Sequence, residues 1–449
     1  MAASSDMPSE SPAVIPTVVN VGLMGLGVVG TGVAAHLLGD GPSLSDIAGR
    51  PVKLKKVLIR DISRPRDINL PAGLLTTNAE DILADPDIHI VVEVMGGTDP
   101  AENYLRQGLA AGKHVVTANK EVMAKSGPEL MALARNNGAN LLFEASVGGG
   151  IPIVGCMMNE LAANDIRSIR SIINGTTNYI LTRMAHDRTS FEQALGEAQE
   201  LGYAEADPTN DVEGIDAAYK LTILASLAYR RSFEPVDVYC EGISKLEPQD
   251  FRYAEELGYA IKFLAIANLD DGGVQLRVYP ALVPLEHMLA KVDGVYNAVE
   301  VDGSLCGQVL FHGMGAGREP TTSAVVGDLI EVVRKMGSQT QAVNAQHGAE
   351  PQNGTPLTVR PIGDLQARYY IRLDVADSPG VLAQIAQVLG DGQISIAAVL
   401  QRDTNPETES AEIVITTHPA KEASVQNALQ AMAGLPHVKR VSNTIRIEG

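Results

Sequence analysis

The chain has 449 residues, 45% hydrophobic and 20% charged, which is ordinary for a globular protein of two to four domains. Its net charge of −19 argues against a nucleic-acid partner, because binding to phosphates requires a basic surface. The sequence contains no apolar run of the roughly 18 residues that a membrane span requires. Its three cysteines are widely spaced, which indicates a reducing compartment, and we therefore expect a cytoplasmic protein.

The chain opens with 16 residues rich in Ser, Pro and Ala, which lack the basic start and apolar core of a signal peptide. We expect residues 1–16 to form a disordered tail. Alternating strand-like and helix-like segments then predict a doubly wound parallel sheet, an α/β Rossmann-type domain over residues 17–150. The expected strands are 18–24, 52–59, 89–95, 114–117 and 140–145, and the expected helices include 100–111 and 128–136.

A glycine pattern follows the first strand, with Gly25, Gly27 and Gly30 spaced as GxGxxG before a helix. The first glycine permits a tight turn, the second lets the backbone approach a pyrophosphate, and the third lets the helix meet the strand. This position predicts a dinucleotide site. A purely structural turn is the alternative.

The acidic residue expected about 20 positions later is missing, because an insertion over 39–50 delays the second strand. That strand ends in Arg60 and Asp61. Arg60 would suit the 2′-phosphate of NADP, whereas Asp61 would suit the 2′-hydroxyl of NAD; a solvated surface pair is the third interpretation. We favour NADP.

The fourth strand leads into Lys120. Ligands of open parallel sheets lie beyond the carboxyl ends of the strands, so this lysine is better placed for function than an average surface lysine. A solvated side chain is the alternative.

Residues 151–312 change pattern and predict an α+β domain for substrate binding and oligomerisation. We expect helices at 153–162, 190–201 and 215–230 and strands at 166–173 and 274–282. A glycine-rich turn at 313–317 precedes a helix over 321–335, so residues 313–337 are expected to return to the first domain. Residues 338–366 are typical of a linker.

The last segment, 367–449, has the order βαββαβ, a ferredoxin-like arrangement. Its first strand shows alternation, with Tyr369, Ile371, Leu373 and Val375 between polar residues, which predicts a half-buried strand. The later elements are a helix at 379–389, strands at 394–400 and 411–417, a helix at 420–432 and a strand at 438–447.

The densest group of candidate functional residues is the segment 202–221, where five carboxylates precede Lys220 and a helix starts near Ile215. Asp216 and Lys220 are spaced i, i+4 and share one face of that helix. Because the helix is apolar, both charges are expected near the interior, where the lysine pKa can shift and the group can exchange a proton. Glu205 and Asp211 could bind the ammonium of an amino acid. An ordinary solvated ion pair is the alternative.

Two further segments are suggestive. Glu144 and the glycine-rich turn up to Ile151 offer carbonyls beside a carboxylate, which suits a hard cation or a plain turn equally. Residues 174–178 offer small polar groups that fit a ligand site or a helix cap equally well.

Taken together, these segments resemble the homoserine dehydrogenase family over residues 17–335. The resemblance rests on GLGVVG at 25–30, TANK at 117–120, EASVGGGIP at 144–152, NGTTNY at 174–179 and GYAEADPTNDVEGIDAAYK at 202–220. It implies an NAD(P)-dependent oxidoreductase that interconverts L-homoserine and L-aspartate 4-semialdehyde, in the synthesis of threonine, methionine and isoleucine.

The resemblance also implies residue roles. It assigns the cofactor to Gly25, Gly27, Val28, Val29, Gly30, Arg60, Thr98, Ala118, Lys120 and Gly317. It assigns the substrate to Gly175, Thr176, Tyr203, Glu205 and Asp211. It makes Lys220 and Lys120 the candidates for proton transfer, with Asp216 holding Lys220. It assigns a structural cation, sodium-like, to Glu144, Val147, Gly149 and Ile151.

Residues 367–449 resemble an ACT domain, a module that senses amino acids. Asp377, Gly380 and Val381 match its first strand-to-helix turn, where effectors commonly bind. Threonine is the effector to suspect, and a homo-oligomer, dimer or tetramer, is expected by analogy. Two rival hypotheses stay open: a related dehydrogenase with another amino-acid substrate, and a sensor without catalytic activity.

Overall fold

The structure of the chain, a computed structural model, describes residues 16–39, 44–270, 272–336, 357–405 and 410–448, with the main chain alone at 402–405. The predicted tail, apart from Pro16, and the predicted linker up to residue 356 lie outside the described residues. The described part falls into two units. The first is drawn from Met1–Thr117, Leu130–Leu142 and Val325–Ala345, and the second from Ala118–Glu129, Phe143–Ala324 and Gln346–Gly449.

The first unit is built on a parallel sheet with the strand order β3-β2-β1-β4-β5-β6, the order of dinucleotide-binding domains. Its strands are β1 (Val19–Met24), β2 (Val52–Leu58), β3 (Leu75–Thr76), β4 (Ile90–Glu93), β5 (His114–Thr117) and β6 (Leu141–Leu142). All of β4 is buried, as expected of a strand covered on both faces. The predicted α/β class is confirmed.

The helices of this unit cover the sheet. They are α1 (Val28–Leu38), α2 (Leu44–Ala48), α3 (Glu80–Leu83), α4 (Ala101–Ala110) and the end of α5 (Lys120–Asn136). The prediction that a helix begins at 128 is wrong: α5 begins at Lys120 and contains Pro128 in its interior. Its start is stabilised by Asn119, whose side-chain oxygen accepts the Val122 amide at 3.2 Å.

The second unit contains a mixed sheet whose strands run in the order β12-β11-β7-β9-β10-β17-β13-β15-β14. The strands before residue 318 are β7 (Ile166–Ile172), β8 (Tyr239–Cys240), β9 (Tyr259–Asp270), β10 (Gly273–Pro284), β11 (Tyr296–Gly303) and β12 (Gly307–Met314). The helices are α6 (Ile153–Met158), α7 (Gly175–Asp187), α8 (Phe191–Glu200), α9 (Thr209–Val212), α10 (Ile215–Tyr229), α11 (Pro248–Glu256) and α12 (Arg318–Lys335). The end of α12 belongs to the first unit, where Arg334 donates to the Ile47 carbonyl at 2.8 Å.

The C-terminal segment has the predicted βαββαβ order, with a two-residue strand added. Its elements are β13 (Gln366–Ala376), α13 (Val381–Asp391), β14 (Ile396–Asn405), β15 (Ser410–Thr417), β16 (Ala420–Lys421), α14 (Glu422–Ala433) and β17 (Val438–Ile447). The strand order β17-β13-β15-β14 is that of a ferredoxin-like sheet.

The sheet of this segment continues the sheet of the preceding residues. Strand β17 pairs in parallel with β10, with Ala281 opposite Arg446 and Leu282 opposite Ile447. Residues at the end of the predicted linker also join β10: the Val274 amide donates to the Thr358 carbonyl at 2.9 Å, and the Arg360 amide to the Val274 carbonyl at 2.8 Å. The C-terminal segment is therefore built into the second unit through main-chain hydrogen bonds.

A buried ion cluster reinforces this junction. Arg372 on β13 is 1% exposed, and its guanidinium binds Asp250 at 2.7 Å, Glu247 at 2.7 Å and Glu412 at 2.9 Å. Asp250 and Glu247 lie at the start of α11, and Asp250 is fully buried. The apolar face of β13 is buried as predicted, but on its polar face Tyr370 and Arg372 are buried as well, because both bind Asp250 of α11.

A second cluster lies beside the β10–β17 pairing. Arg446 on β17 binds Glu422 at 2.7 Å and Glu241 at 2.7 Å, and the Tyr279 hydroxyl donates to Glu448 at 2.6 Å.

Among the helices that the structure describes, none combines the length and the apolar character required to cross a bilayer.

We expect Arg372→Met to destabilise the second unit by about 3–5 kcal/mol, because it leaves Asp250 as a buried charge without its cation. Chemical denaturation and hydrogen exchange of β13 would measure the loss. Arg440→Met is the matched control: Arg440 binds Glu247 from a half-exposed position, so its loss should cost about 1 kcal/mol or less. Equal effects of the two substitutions would contradict the structural role given to Arg372.

Candidate functional site

The site in the second unit is organised around Asp216. Helix α10 begins after Gly214, whose φ of +86° suits glycine, and Asp216 lies in its first turn with 3% of its surface exposed. Lys220 lies one turn later, as the i, i+4 spacing predicts. Its ammonium donates to Asp216 Oδ2 at 2.7 Å and to the Ile173 carbonyl at 2.8 Å.

Lys120 completes the charge cluster. Its ammonium forms an ion pair with Asp216 Oδ1 while its side chain stays 43% exposed, against 12% for that of Lys220. One buried carboxylate therefore bridges two lysines, with Lys220 enclosed and Lys120 facing solvent.

Asn174 connects this cluster to α7. Its side-chain oxygen accepts the Thr177 amide at 2.8 Å and caps the helix, while its nitrogen donates to Asp211 Oδ1 at 2.7 Å and to Asp216 Oδ2 at 2.9 Å. Asn174 was not among the predicted site residues. Its capping position was visible in the sequence, but its contacts with the two carboxylates require the folded chain.

The electrostatics distinguish the two lysines. Burial opposes the charge of Asp216, but the attraction of Lys220 and Lys120 outweighs it and lowers the pKa of Asp216. Burial also lowers the pKa of Lys220, against the opposing attraction of Asp216. For Lys120, the attraction of Asp216 outweighs burial and raises the pKa. Lys220 is therefore the lysine that releases its proton more readily.

Asp211 has the opposite shift to Asp216. Burial raises its pKa, the hydrogen bond from Asn174 lowers it, and the nearby Asp216 charge raises it further. A cationic ligand beside Asp211 would relieve this repulsion, because an ammonium favours the charged carboxylate.

The remaining predicted substrate residues lie around the start of α7. The Thr176 hydroxyl donates to the Tyr203 carbonyl at 2.7 Å, and the Tyr203 ring lies 5.1 Å from that of Tyr179. A Cβ at Gly175 would come within 2.8 Å of the Val295 carbonyl, so this position requires glycine. Glu205 is exposed, and the structure does not bring its carboxylate into the hydrogen-bonded cluster.

Asn297 on β11 is a further candidate that the sequence analysis missed. It is 1% exposed, and neither polar atom of its side-chain amide has a hydrogen-bond partner among the described residues. A Cβ on Gly315 would lie 1.7 Å from its Oδ1, and one on Gly175 3.6 Å from it. Because buried amides are normally satisfied, this group indicates contact with a water molecule or a ligand. No signal in the sequence singled this residue out, because β11 also carries Glu300 and Asp302.

The glycine loop of the first unit has the geometry that its pattern predicts. Gly25 has a φ of +101°, and a Cβ at Gly30 would lie 2.2 Å from the Gly25 carbonyl, so α1 meets β1 closely. No atom lies within 4 Å of a Cβ position on Gly27, which leaves the backbone open to a ligand. Val28 and Val29 form the first turn of α1, next to this open position.

Beyond β2, Arg60 is exposed, and Asp61 accepts hydrogen bonds from the Ser63 amide at 2.8 Å and hydroxyl at 2.6 Å. These bonds lower the pKa of Asp61. Arg66, which the sequence analysis missed, donates to the Leu26 carbonyl at 3.0 Å and to the Asp61 carbonyl at 3.1 Å. It thereby ties the glycine loop to the end of β2.

The other predicted cofactor residues lie in loops. Thr98 follows β4, close in sequence to the buried Glu93, which accepts the Met95 amide at 2.7 Å and the Thr117 hydroxyl at 2.6 Å. Ala118 and Gly317 belong to the second unit, where Gly317 has a φ of +115° just before α12.

The predicted cation segment forms a tight turn in the second unit. Both carboxylate oxygens of Glu144 accept amides at the start of α6, from Val154 at 2.8 Å and Gly155 at 2.6 Å. Val147 and Ile151 are buried, and Gly149 has a φ of +54°. Across the described residues, no group of three or more His, Cys, Asp or Glu side chains is arranged to hold a metal ion.

The predicted effector residues lie between β13 and α13. Gly380 has a φ of +92° and open space around its Cβ position, and Val381, the first residue of α13, is 3% exposed. Asp377 lies just after β13.

Comparison with known families identifies the family of the chain. The family models described as homoserine dehydrogenase and as its NAD-binding domain match residues 152–330 and 25–144, and an ACT domain matches residues 369–437. The homoserine dehydrogenases of Synechocystis sp. and Bacillus subtilis are 43% and 40% identical to the chain, each over 96% of its length and at least 98% of their own. The chain belongs to the homoserine dehydrogenase family.

Solved structures agree with this membership. A homoserine dehydrogenase from Thiobacillus denitrificans has a TM-score of 0.88 and 42% identity, and the match covers 96% of this chain and 98% of that one. A hyperthermophilic archaeal homoserine dehydrogenase in complex with NADPH has a TM-score of 0.59 and 26% identity over 71% of this chain and 98% of its own. The enzyme is therefore an NAD(P)-dependent oxidoreductase that acts on a CH–OH group.

We expect Asn174→Ala to lower turnover of the enzyme by about tenfold or more, because Asp211 and Asp216 each lose a hydrogen bond. Loss of the α7 cap should also cost about 1 kcal/mol of stability. Ser190→Ala is the matched control, since Ser190 caps α8 through the Gln193 amide. It should lose similar stability and keep its activity. Kinetics and thermal denaturation of both variants would test this, and equal turnover would contradict a site role for Asn174.

Proposed function

We propose that the enzyme interconverts L-homoserine and L-aspartate 4-semialdehyde and that the cluster of Lys120, Asp216 and Lys220 handles the proton. The observation that carries the proposal is the buried carboxylate shared by two lysines, one enclosed and one partly exposed. Burying charges costs free energy, and buried charge clusters with shifted pKa values are concentrated at functional sites.

The substrate would be held by its ammonium group. Asp211, with its raised pKa, is the proposed partner of the substrate ammonium, together with Glu205. Gly175, Thr176 and Tyr203 would line the same site at the start of α7. Holding the substrate ammonium in one position orients the reacting carbon of the substrate and lowers the entropic cost of the reaction.

The nicotinamide, when bound, supplies or accepts the hydride. Lys220 is the proposed acid and base, because burial lowers its pKa and its partner Asp216 fixes its position. In the direction of aldehyde reduction it would donate a proton to the developing alkoxide, and in the reverse direction it would accept one. Lys120 would add a second positive charge beside the oxyanion.

For the cofactor we propose NADP in preference to NAD. The glycine loop would hold the pyrophosphate, and exposed Arg60 beyond β2 would meet the 2′-phosphate. Asp61, the candidate partner of a 2′-hydroxyl, accepts both hydrogen bonds from Ser63 at Oδ1. The archaeal relative solved with NADPH supports the same preference.

A hard monovalent cation at the turn of Glu144, Val147, Gly149 and Ile151 is part of the proposal. Because both oxygens of Glu144 accept backbone amides, the backbone carbonyls of the other three residues would supply most of the ligands. Its role would be structural, and no step of the reaction requires it.

We further propose that the C-terminal domain binds an amino-acid effector, threonine being the candidate, near Asp377, Gly380 and Val381. Feedback by threonine would place the enzyme in the synthesis of threonine, methionine and isoleucine. A cytoplasmic homo-oligomer, a dimer or a tetramer, is also proposed, and sedimentation would determine its size.

The direct test is homoserine-dependent reduction of NADP and of NAD, followed by nicotinamide absorbance, with and without threonine. We expect turnover with both cofactors, a higher kcat/KM with NADP, and a lower rate when threonine is present. A folded protein without turnover that still bound the nucleotide would favour the sensor hypothesis. Turnover with a different hydroxy amino acid alone would favour the second dehydrogenase.

The pH dependence of homoserine oxidation distinguishes the lysines. Oxidation requires a neutral amine, and the pKa of Lys220 is lowered from 10.5, so the rate should rise with pH below that value. Lys220→Met should remove this rise and reduce turnover by about 10²–10⁴. Lys120→Met should move the rise to higher pH, because the Lys120 charge lowers the pKa of Lys220.

Lys125→Met is the control for this experiment, since Lys125 lies on the same helix as Lys120 and pairs with Glu121 at 2.6 Å. Its pH profile should match that of the unaltered enzyme. If the rate of homoserine oxidation no longer rose with pH in Lys120→Met but still rose in Lys220→Met, Lys120 and not Lys220 would be the acid and base.

A further inference from the structure

The second unit contains a cavity of about 340 Å³ that is separate from the residues proposed for catalysis. It lies among the second half of α7, the end of α11, the start of β9 and the segment 285–293. We call it the α7–α11 cavity. This volume is that of a small-molecule site, and metabolite sites typically combine apolar walls with a few polar groups.

The lining of the α7–α11 cavity combines apolar side chains with a few charged ones. Apolar side chains form much of the wall: Leu181, Ala185, Phe251, Ile261, Leu285 and Ala290. Lys262 lies in the lining with its side chain only 5% exposed, and it donates to the Val292 carbonyl at 2.7 Å and to Asp293 Oδ1 at 2.8 Å. Asp293 is half exposed, so this ion pair lies at the mouth of the cavity and places a positive charge beside the apolar wall.

The charges of the lining are not balanced. Three cations, Lys262, Lys291 and Arg188, face two carboxylates. Asp293 pairs with Lys262, and Glu255 pairs with Arg188, so both carboxylates are already engaged. Lys291 is exposed and forms no ion pair with any residue in the described ranges. His186 Nε2 lies 3.6 Å from Asp293 Oδ2, on the same side of the cavity.

We propose that the α7–α11 cavity binds a small carboxylate of amino-acid size, with its carboxylate at Lys291 and its carbon chain against the apolar wall. The excess cation selects an anion, and the apolar wall selects an organic one over an inorganic ion.

The cavity is lined by residues of α7 and α11, and each of these helices has a contact with another part of the second unit. Helix α7 begins beside Asn174, which binds Asp211 and Asp216, and it contributes Leu181 and Ala185 to the cavity. Helix α11 carries Asp250, the partner of Arg372 in the C-terminal domain, and contributes Phe251. A ligand here would therefore contact both the helix of the proposed catalytic site and the helix that holds the C-terminal domain.

Calorimetric titration of the full chain with succinate and with L-aspartate tests the proposal, and succinamide serves as the neutral probe of matched shape. We expect saturable binding of at least one carboxylate, and no binding of succinamide. Equal binding by succinate and L-aspartate would mean that the carboxylate suffices, whereas binding of L-aspartate alone would add the ammonium to the recognised groups. Absence of saturable binding by both carboxylates would overturn the proposal.

Two variants locate the binding. Lys291→Glu reverses the unpaired charge and should weaken binding at least tenfold, and Ala185→Trp fills the cavity from a partly exposed position and should abolish it. Lys53→Glu makes the same charge change at an exposed position of the first unit and should leave binding unaltered. Homoserine turnover verifies that each variant is folded. Unaltered binding in both Lys291→Glu and Ala185→Trp would place the ligand elsewhere and overturn the proposal.

Discussion

A single buried charge sets the requirements for the proposed catalytic site. Asp216 is 3% exposed, and a carboxylate at that depth stays ionised only if cations and hydrogen-bond donors surround it. Lys220 from its own helix, Lys120 from α5 and Asn174 from the start of α7 meet this requirement. The three elements must therefore converge on one point, and the positions of the other candidate substrate residues follow from that convergence.

The parts of this arrangement that could be predicted from sequence are local. The i, i+4 spacing of Asp216 and Lys220 predicted their ion pair, and alternating strand and helix patterns predicted the parallel sheet. The contact of Asn174 with Asp211 spans 37 residues, and no local periodicity reports such a contact. Strand β9 was missed for a related reason. It is largely buried on both faces, so it lacks the polar alternation that identifies a strand with one solvated face.

The C-terminal domain shows a second limit of sequence patterns. Its βαββαβ order was predictable, because each helix and strand follows its own periodicity. The burial of Arg372 was not, because an Arg between apolar strand residues normally faces solvent. Here α11 covers that face and supplies Asp250 and Glu247. A polar residue in a strand can thus either face solvent or contact another domain. Only the position of the partner element in the folded chain distinguishes these two cases.

The pairing of β17 with β10 affects how this C-terminal domain could be exchanged in evolution or in the laboratory. A domain joined only by a tether can be cut away or grafted onto another enzyme without altering its host. Here removal would leave the main-chain groups of Ala281 and Leu282 on β10 without their partners in β17, and unpaired strand edges are sites where foreign strands add and aggregation starts. A graft of the C-terminal domain onto another enzyme would likewise leave Arg446 and Ile447 of β17 without this strand partner, unless residues 281–282 of β10 were carried with it.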